Sequence, residues 1–351
     1  MWPDTRLTDL FGIELPVVQA PMANATAVDM AVAVANAGGL GSFPCAALTD
    51  DKVAEGVAAI RSRTNRPINL NFFCHDMAEP DPTQEQRWRS ALAPYYRELG
   101  IELPAPSTAG ARRPIDAATV DLLERFRPKV VSFHFGLPAQ PLLQRIKAWG
   151  AVVLSSATTL EEGRWLEQRG ADIVIAQGID AGGHRGHFLS DDLALQPSTL
   201  DLVRALRNTL SVPIIAAGGI GSRADVEALL AAGASAVQAG TAYLLCPEAT
   251  TSAVHRAALQ QQTREAAITN LFSGRPARGL VNRLMRELGP MSDLPPAFPW
   301  AAQALAPLRA RAESLQRDDF TPLWSGSKPG TFVGLTAAEV THQLAGLRYP
   351  G

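Results

Sequence analysis

Short apolar runs recur along the chain at 17–19, 40–43, 68–72, 129–133, 151–155, 172–176, 213–217 and 236–239. Most are unbroken and rich in Val and Ile, the mark of strands buried on both faces. Helical spacing fills the gaps between them. Residues 27–37, "AVDMAVAVANA", run to Gly38-Gly39, where a helix stops. "SRADVEALLAAGA" (222–234) opens on Ser222, a side chain suited to cap free N–H groups, and carries Val226, Leu229 and Leu230 as one stripe. "TLEEGRWLEQRGA" (159–171) likewise closes on Gly-Ala just before the next run. Eight strands alternating with helices predict an α/β fold, a TIM (β/α)8 barrel of parallel strands. The rival is an open doubly wound sheet. Its G-x-G-x-x-G signature is missing, because the first strand runs into "QAPMANAT".

Two intervals break the beat. An insertion after strand 3, about 74–128, is rich in Pro and charge; its helix near 84–99 sets Trp88, Leu92, Tyr95 and Leu99 on one face, ready to pack on the barrel. The loop 182–197 is long enough to act as a lid or line a pocket. The expected organisation is therefore a barrel over 1–246 and a C-terminal helical subdomain over 247–351, with helices near 248–261 and 300–317. That subdomain is expected to cover the barrel mouth, its last residues free to return to the barrel.

Composition narrows the partners. The 351 residues carry 32 basic and 34 acidic side chains, a net charge of −2, and 46% are hydrophobic. A sizeable core is available, and no basic field points to nucleic acid or an anionic membrane. Cys45, Cys74 and Cys246 are odd in number and far apart, neither a disulfide framework nor a zinc pattern. The first residues are acidic where a signal peptide is basic, and no apolar run is long enough to span a bilayer. These features predict a cytoplasmic protein, monomer or homodimer, acting on a small molecule.

In a barrel the chemistry collects where strands end. Those positions hold Ala20-Pro21-Met22, Ser42, Asn71, His134, Ser155-Ser156, Gln177, Gly218-Gly219 and Gly240-Thr241, followed after strand 6 by Gly182-Gly183-His184. No acidic cluster is there to hold a divalent cation, and no Lys to form a Schiff base, so no metal is expected. Gly218 and Gly219, with Gly240 in the run Gln238-Ala239-Gly240-Thr241, bare the backbone after the last two strands, the usual barrel phosphate site. The alternative is a pair of tight turns. Asn71 and Gln177 can donate and accept along the edge of a heterocycle, and Met22 can lie against a ring face. Flavin mononucleotide (FMN) would use all of these features, and so would a nucleotide substrate. His184 sits among glycines on a thin loop, so its imidazole can reach over a flat ligand and take up or hold a proton. Arg185 reads as a structural ion pair, His75 as packing, and His187 as a supporting or exposed residue. "SGRPARGLVNR" reads as a structural loop beside the ligand, since no aromatics interleave its basic residues.

The stretches "VVQAPM", "ANAGGLGS", "NLNFFCH", "SFHFG", "AQGIDAGGHRG", "IIAAGGI", "VQAGTAYL" and "SGRPARGLVNR" together resemble the nitronate monooxygenase family, once named 2-nitropropane dioxygenase, and most of all its class I members. The resemblance runs from about residue 15 to 285. It implies an FMN-bearing TIM barrel that oxidises alkyl nitronates with O2 to a carbonyl compound and nitrite, a route to nitroalkane detoxification. It also implies that Ala20, Met22, Asn71, Gln177, Gly182, Gly219 and the run 238–241 hold the flavin. His184 falls on the family's active-site histidine, and His134 on its substrate pocket. The chain departs from the family at Ala27, where a proline is common, and "PLWSGSKPG" matches the flavin-closing segment only loosely. Two other readings stay open: an FMN-dependent NAD(P)H enoyl-thioester reductase, and a flavin- or nucleotide-binding barrel without turnover. Chemistry of the IMP dehydrogenase kind needs a Cys after strand 6, and none is there.

Overall fold

In the computed structural model, which describes residues 2–106, 112–261 and 263–347, eight parallel strands lie in chain order around a barrel. They are β1 (Val17–Gln19), β2 (Gly41–Pro44), β3 (Ile68–Phe73), β4 (Val130–His134), β5 (Val152–Ala157), β6 (Ile173–Gln177), β7 (Ile214–Ala217) and β8 (Ala236–Ala239). β8 pairs with β1 at Val237 and Val17. The β1–β2 seam is closed by one bridge, Val18 to Leu40, through Leu40 N–H on Val17 O and Gln19 N–H on Leu40 O, both 2.9 Å. The expected TIM barrel is the fold observed.

The unbroken apolar runs follow from two cores back to back. Val18, Val130, Val152, Leu154, Ile173, Ile175 and Ile215 fill the interior with Leu7 and Phe11, which come from the helix Arg6–Phe11. Their neighbours one position along, among them Val174, Ile214, Ala216 and Val237, pack outward against Leu202, Leu206, Val226 and Leu230 of the surrounding helices. Both faces are dry, so alternation has nothing to select. Above the apolar interior lies a polar tier: Gln19 Oε1 accepts from Ser42 N–H at 2.9 Å, and Asn69 Nδ2 donates to Ser42 Oγ at 3.0 Å.

The interval 74–128 divides. Helix Ala117–Phe126 belongs to the barrel ring, with Val120 and Leu123 buried among Phe72, Val131 and Leu143. Helix Pro82–Leu99 instead lies against helix Ala301–Ser314, where Trp88, Leu92, Tyr96 and Leu99 share a core with Leu305, Leu308 and Phe320. Trp88 Nε1 donates to Ala301 O at 3.1 Å and Tyr96 OH to Ala304 O at 2.7 Å. Helix Ala253–Gln260 takes the place of the expected 248–261. At the end of the described chain, helix Ala337–Leu344 comes back to the barrel, with Thr341 Oγ1 2.9 Å from Tyr243 OH.

A second sheet has no counterpart in the strand pattern read above. Ala266–Thr269 and Ala277–Leu280 form an antiparallel pair, and the two residues Gly183–His184 add to its edge, Ala277 opposite His184 and Arg278 opposite Gly183.

Candidate functional site

A cavity of about 680 Å3 opens at the C-terminal ends of the strands. Its size falls within the range of small-molecule sites. All the strand-end residues singled out above except Ser42 and Ser155 line it: Ala20, Pro21 and Met22 after β1, Asn71 on β3, His134 on β4, Ser156 on β5, Gln177 on β6, Gly182, Gly183 and His184 beyond it, Gly218 and Gly219 after β7, and Gln238, Ala239, Gly240 and Thr241 at β8. Among the described residues no group of His, Cys, Asp or Glu could hold a metal ion, and no helix is long and apolar enough to cross a membrane.

His184 is held at three points. Its backbone pairs with Ala277. Its carbonyl accepts from Gln177 Nε2 at 2.9 Å and faces His134 Nε2 at 3.3 Å. Its ring nitrogen Nε2 lies 2.9 Å from Ser273 Oγ. The Gln177 amide is fully oriented by the same loop, since Oε1 accepts Gly186 N–H at 2.7 Å. One Nε2–H therefore remains for a ligand. A carbonyl can only accept, so His134 carries its proton on Nε2, and Nδ1 accepts from Ser156 Oγ at 2.9 Å. Asn71 Nδ2 donates to Ser132 Oγ at 2.9 Å and Ser132 O at 3.3 Å, which leaves Oδ1 without a protein partner on the cavity wall.

Burial sets the charge state. His134 is pushed down to about 3, chiefly by desolvation and further by Arg275 and Arg185. His184 is held well below the ordinary histidine range, again by burial first and then by the cations Arg112 and Arg275. Both imidazoles are neutral at pH 7, so the site pairs an uncharged base with a positive field. Arg275 lies 4.2 Å from the centre of the Phe135 ring, donates to His187 O, and has a buried Nε with no partner. Arg112 lies 5.9 Å from the Phe73 ring.

Several residues fall in different roles from those read in the sequence. Among the described residues Arg185 makes no ion pair: it is fully buried, donating from Nε to Gln196 Oε1 at 2.8 Å and from Nη2 to Gln177 O at 3.0 Å, and so fastens the loop to β6. His187 is buried too, 3.4 Å from Asp191. His75 packs edge-on to Phe298 at 4.7 Å, a packing role as expected.

The aromatic wall around His184 was not read from the sequence. Phe298 and Trp324 lie 5.6 Å from its ring, Phe135 6.2 Å and Phe73 6.5 Å. Phe298 and Trp324 come from turn-rich stretches with no period to mark a buried face. Trp324 begins a segment, Trp324–Lys328, that crosses the mouth: Gly326 N–H donates to Thr241 Oγ1 at 2.9 Å and Ser327 N–H to Asp180 O at 3.0 Å. Gly326 and Lys328 line the cavity. The cue in the sequence is the loose match of "PLWSGSKPG" to the family's flavin-closing segment.

The nitronate monooxygenase family model matches residues 4–344. Nitronate monooxygenase of Pseudomonas aeruginosa is 39% identical over 342 residues, 97% of each chain. Among solved structures, the nitroalkane oxidase of Streptomyces ansochromogenes superposes with a TM-score of 0.87 at 36% identity, covering 97% of this chain and 96% of that one. FabK of Thermotoga maritima shares the fold, with a TM-score of 0.70 at 23% identity over 97% of this chain and 94% of its own.

Proposed function

The chain belongs to the nitronate monooxygenase family and is an oxidoreductase, and from that premise we propose that it binds FMN at the barrel mouth and oxidises small alkyl nitronates, propionate 3-nitronate among them, with O2 to a carbonyl compound and nitrite. The observation that carries this reading is His184, held at three points with its neutral imidazole on the wall of a cavity floored by glycine backbone and flanked by two half-buried cations, Arg112 and Arg275.

The residues present fit the cofactor. Gly218 and Gly219 take φ of +125° and +68°, and with the run Gln238–Thr241 they bring bare backbone to the wall where β7 and β8 end. Lys328 lines the same wall, its ammonium paired with the Asp225 carboxylate. Asn71 Oδ1 and the buried, unpartnered Gln238 Oε1 are acceptors waiting for N–H or O–H donors. Met22 Sδ, beside Gly240, offers a soft contact to a flat ring. When bound, FMN supplies the one-electron chemistry with nitronate and O2.

The protein's own part is to bind, orient and move a proton. Arg112 and Arg275 attract the anionic nitronate. His184 orients the nitronate and, where a neutral nitroalkane enters, accepts its α-proton, the imidazolium so formed pairing with the nitronate left behind. Phe73, Phe135, Phe298 and Trp324 keep water from the reacting atoms.

Purified protein is expected to carry an FMN spectrum and to release nitrite from ethylnitronate, with His184→Asn releasing far less. Equal turnover in both would remove His184 from the reaction. Rapid anaerobic bleaching by NAD(P)H, together with turnover of an enoyl thioester, would move the chain to the reductase reading.

A further inference from the structure

Ser273 is 6% exposed and sits in the turn that leads into the strand Ala277–Leu280. Its Oγ has three polar neighbours: His184 Nε2 at 2.9 Å, Arg275 O at 3.2 Å and Arg275 N–H at 3.4 Å. A hydroxyl has one proton to give. The Arg275 amide can only donate to it and the Arg275 carbonyl can only accept from it, and Oγ is placed to give its proton to that carbonyl. The lone pairs of Oγ then face His184. On the other side of the ring, His184 Nδ1 has no hydrogen-bond partner among the described residues and is open to the cavity that the residue lines.

We propose that Ser273 is a positioning residue that fixes the tautomer of His184, with the proton on Nε2 and the lone pair on Nδ1 aimed into the cavity. The inference rests on the reading of His184 as the group that meets the substrate. In the step it serves, the nitroalkane α C–H bond breaks and its electron pair moves onto the nitro group. The proton forms a new N–H bond at Nδ1. The resulting imidazolium keeps its Nε2–H on Ser273 Oγ, and Ser273 keeps its own proton on Arg275 O, so the new charge gains an acceptor without any second proton transfer.

Nitrogen-15 NMR of histidine-labelled protein, with His184→Asn to assign the signal, reads the tautomer independently of turnover. The wild type is expected to show a protonated Nε2 and a bare Nδ1, Ser273→Ala a mixture of tautomers, and Ser273→Thr the wild-type pattern. In steady-state assays Ser273→Ala is expected to lower kcat for a neutral nitroalkane by about 10- to 100-fold, while oxidation of the preformed nitronate changes little and Ser273→Thr recovers the nitroalkane rate. A protonated Nδ1 in the wild type, or an equal loss on nitroalkane and nitronate, overturns the proposal. If no nitroalkane is turned over, the nitrogen spectrum alone decides. Unchanged turnover in His184→Asn would instead defeat the reading of His184 itself, whatever the spectrum shows.

Discussion

Gln177 and His184 are joined side chain to backbone: the Gln177 amide donates to the His184 carbonyl at 2.9 Å while accepting from Gly186 N–H at 2.7 Å. A residue at the end of β6 thus fixes the curvature of the loop that follows it. Gln177→Leu keeps the volume but strands the buried Gly186 N–H, at a cost of about 1–3 kcal/mol, and leaves the His184 carbonyl with His134 Nε2 alone. We expect a lower melting temperature and a fall in kcat/KM of about 10- to 100-fold, since a displacement near 1 Å is enough for that. An unchanged rate in nitrite assays would show that the loop holds its shape without this residue.

Acid should destabilise the protein early. His75, His187 and His255 are pushed down to about 4 and His134 to about 3, each mainly by burial, and His184 is lowered as well. Below about pH 6.5 the unfolded chain takes up protons at these histidines and the folded chain does not. The stability they contribute is full above pH 6.5 and drains away as pH falls toward 4. Melting temperatures measured at pH 7.5, 6 and 5 should fall progressively. A flat series would mean that these imidazoles are charged in the folded state.

Over the same range the reaction itself should be insensitive to acid. Because His184 stays neutral well below the ordinary histidine range, the basic form needed for proton abstraction persists from pH 8 to about pH 6. A kcat/KM profile for a nitroalkane that drops with an apparent pKa near 6.5 would contradict this assignment.

Glu162 is a buried carboxylate that serves as an anchor. One oxygen accepts Thr158 N–H at 2.6 Å and Thr158 Oγ1 at 2.8 Å; the other accepts Phe188 N–H at 2.6 Å and Leu189 N–H at 3.3 Å. Glu162→Gln turns one of these acceptors into a donor that faces other donors. The expected loss is about 1.5–3 kcal/mol for each charge-assisted bond broken, with faster hydrogen exchange and proteolysis at 186–192. Protection unchanged from wild type at those amides would rule out this anchoring role.

Two glycines separate packing from ligand contact. At Gly218, φ is +125° and an added Cβ would stand 2.7 Å from Ala181 N. Gly218→Ala should therefore cost at least about 1–2 kcal/mol and disturb the mouth as a whole. At Gly240 the backbone suits any residue, and the nearest atom to an added Cβ is the mobile Met22 Sδ at 3.2 Å. Gly240→Ala should keep the stability of the flavin-free protein within about 1 kcal/mol of the wild type while lowering flavin content. Normal flavin content in that variant would take the run 238–241 out of the cofactor site.

The floor of the cavity was legible in the sequence because a barrel fixes which positions face its mouth: once a strand such as 173–177 is located, Gln177 must lie at its end. The roof was not. Phe298, Trp324 and Ser273 reach His184 from segments about 90 to 140 residues downstream, and no local period records which distant strand end a turn-rich stretch will cover. The small sheet escaped for a related reason. Gly183–His184 is a strand only because Ala277–Leu280 lies beside it, and two residues carry no alternation to read. Arg185 shows the same limit from another side. Its charge suggested an ion pair, whereas the fold gives it a carbonyl and an amide oxygen instead.

The pairing of Ala277 with His184 has a consequence for how this architecture can vary. Neighbouring residues on a ribbon point to opposite sides, so the imidazole faces the cavity only while one alignment is kept. A deletion of one residue between Gly274 and Ala277 would carry the partner strand past Gly183–His184 by one step and turn that strand's own side chains to the opposite face, with every strand of the barrel still in place.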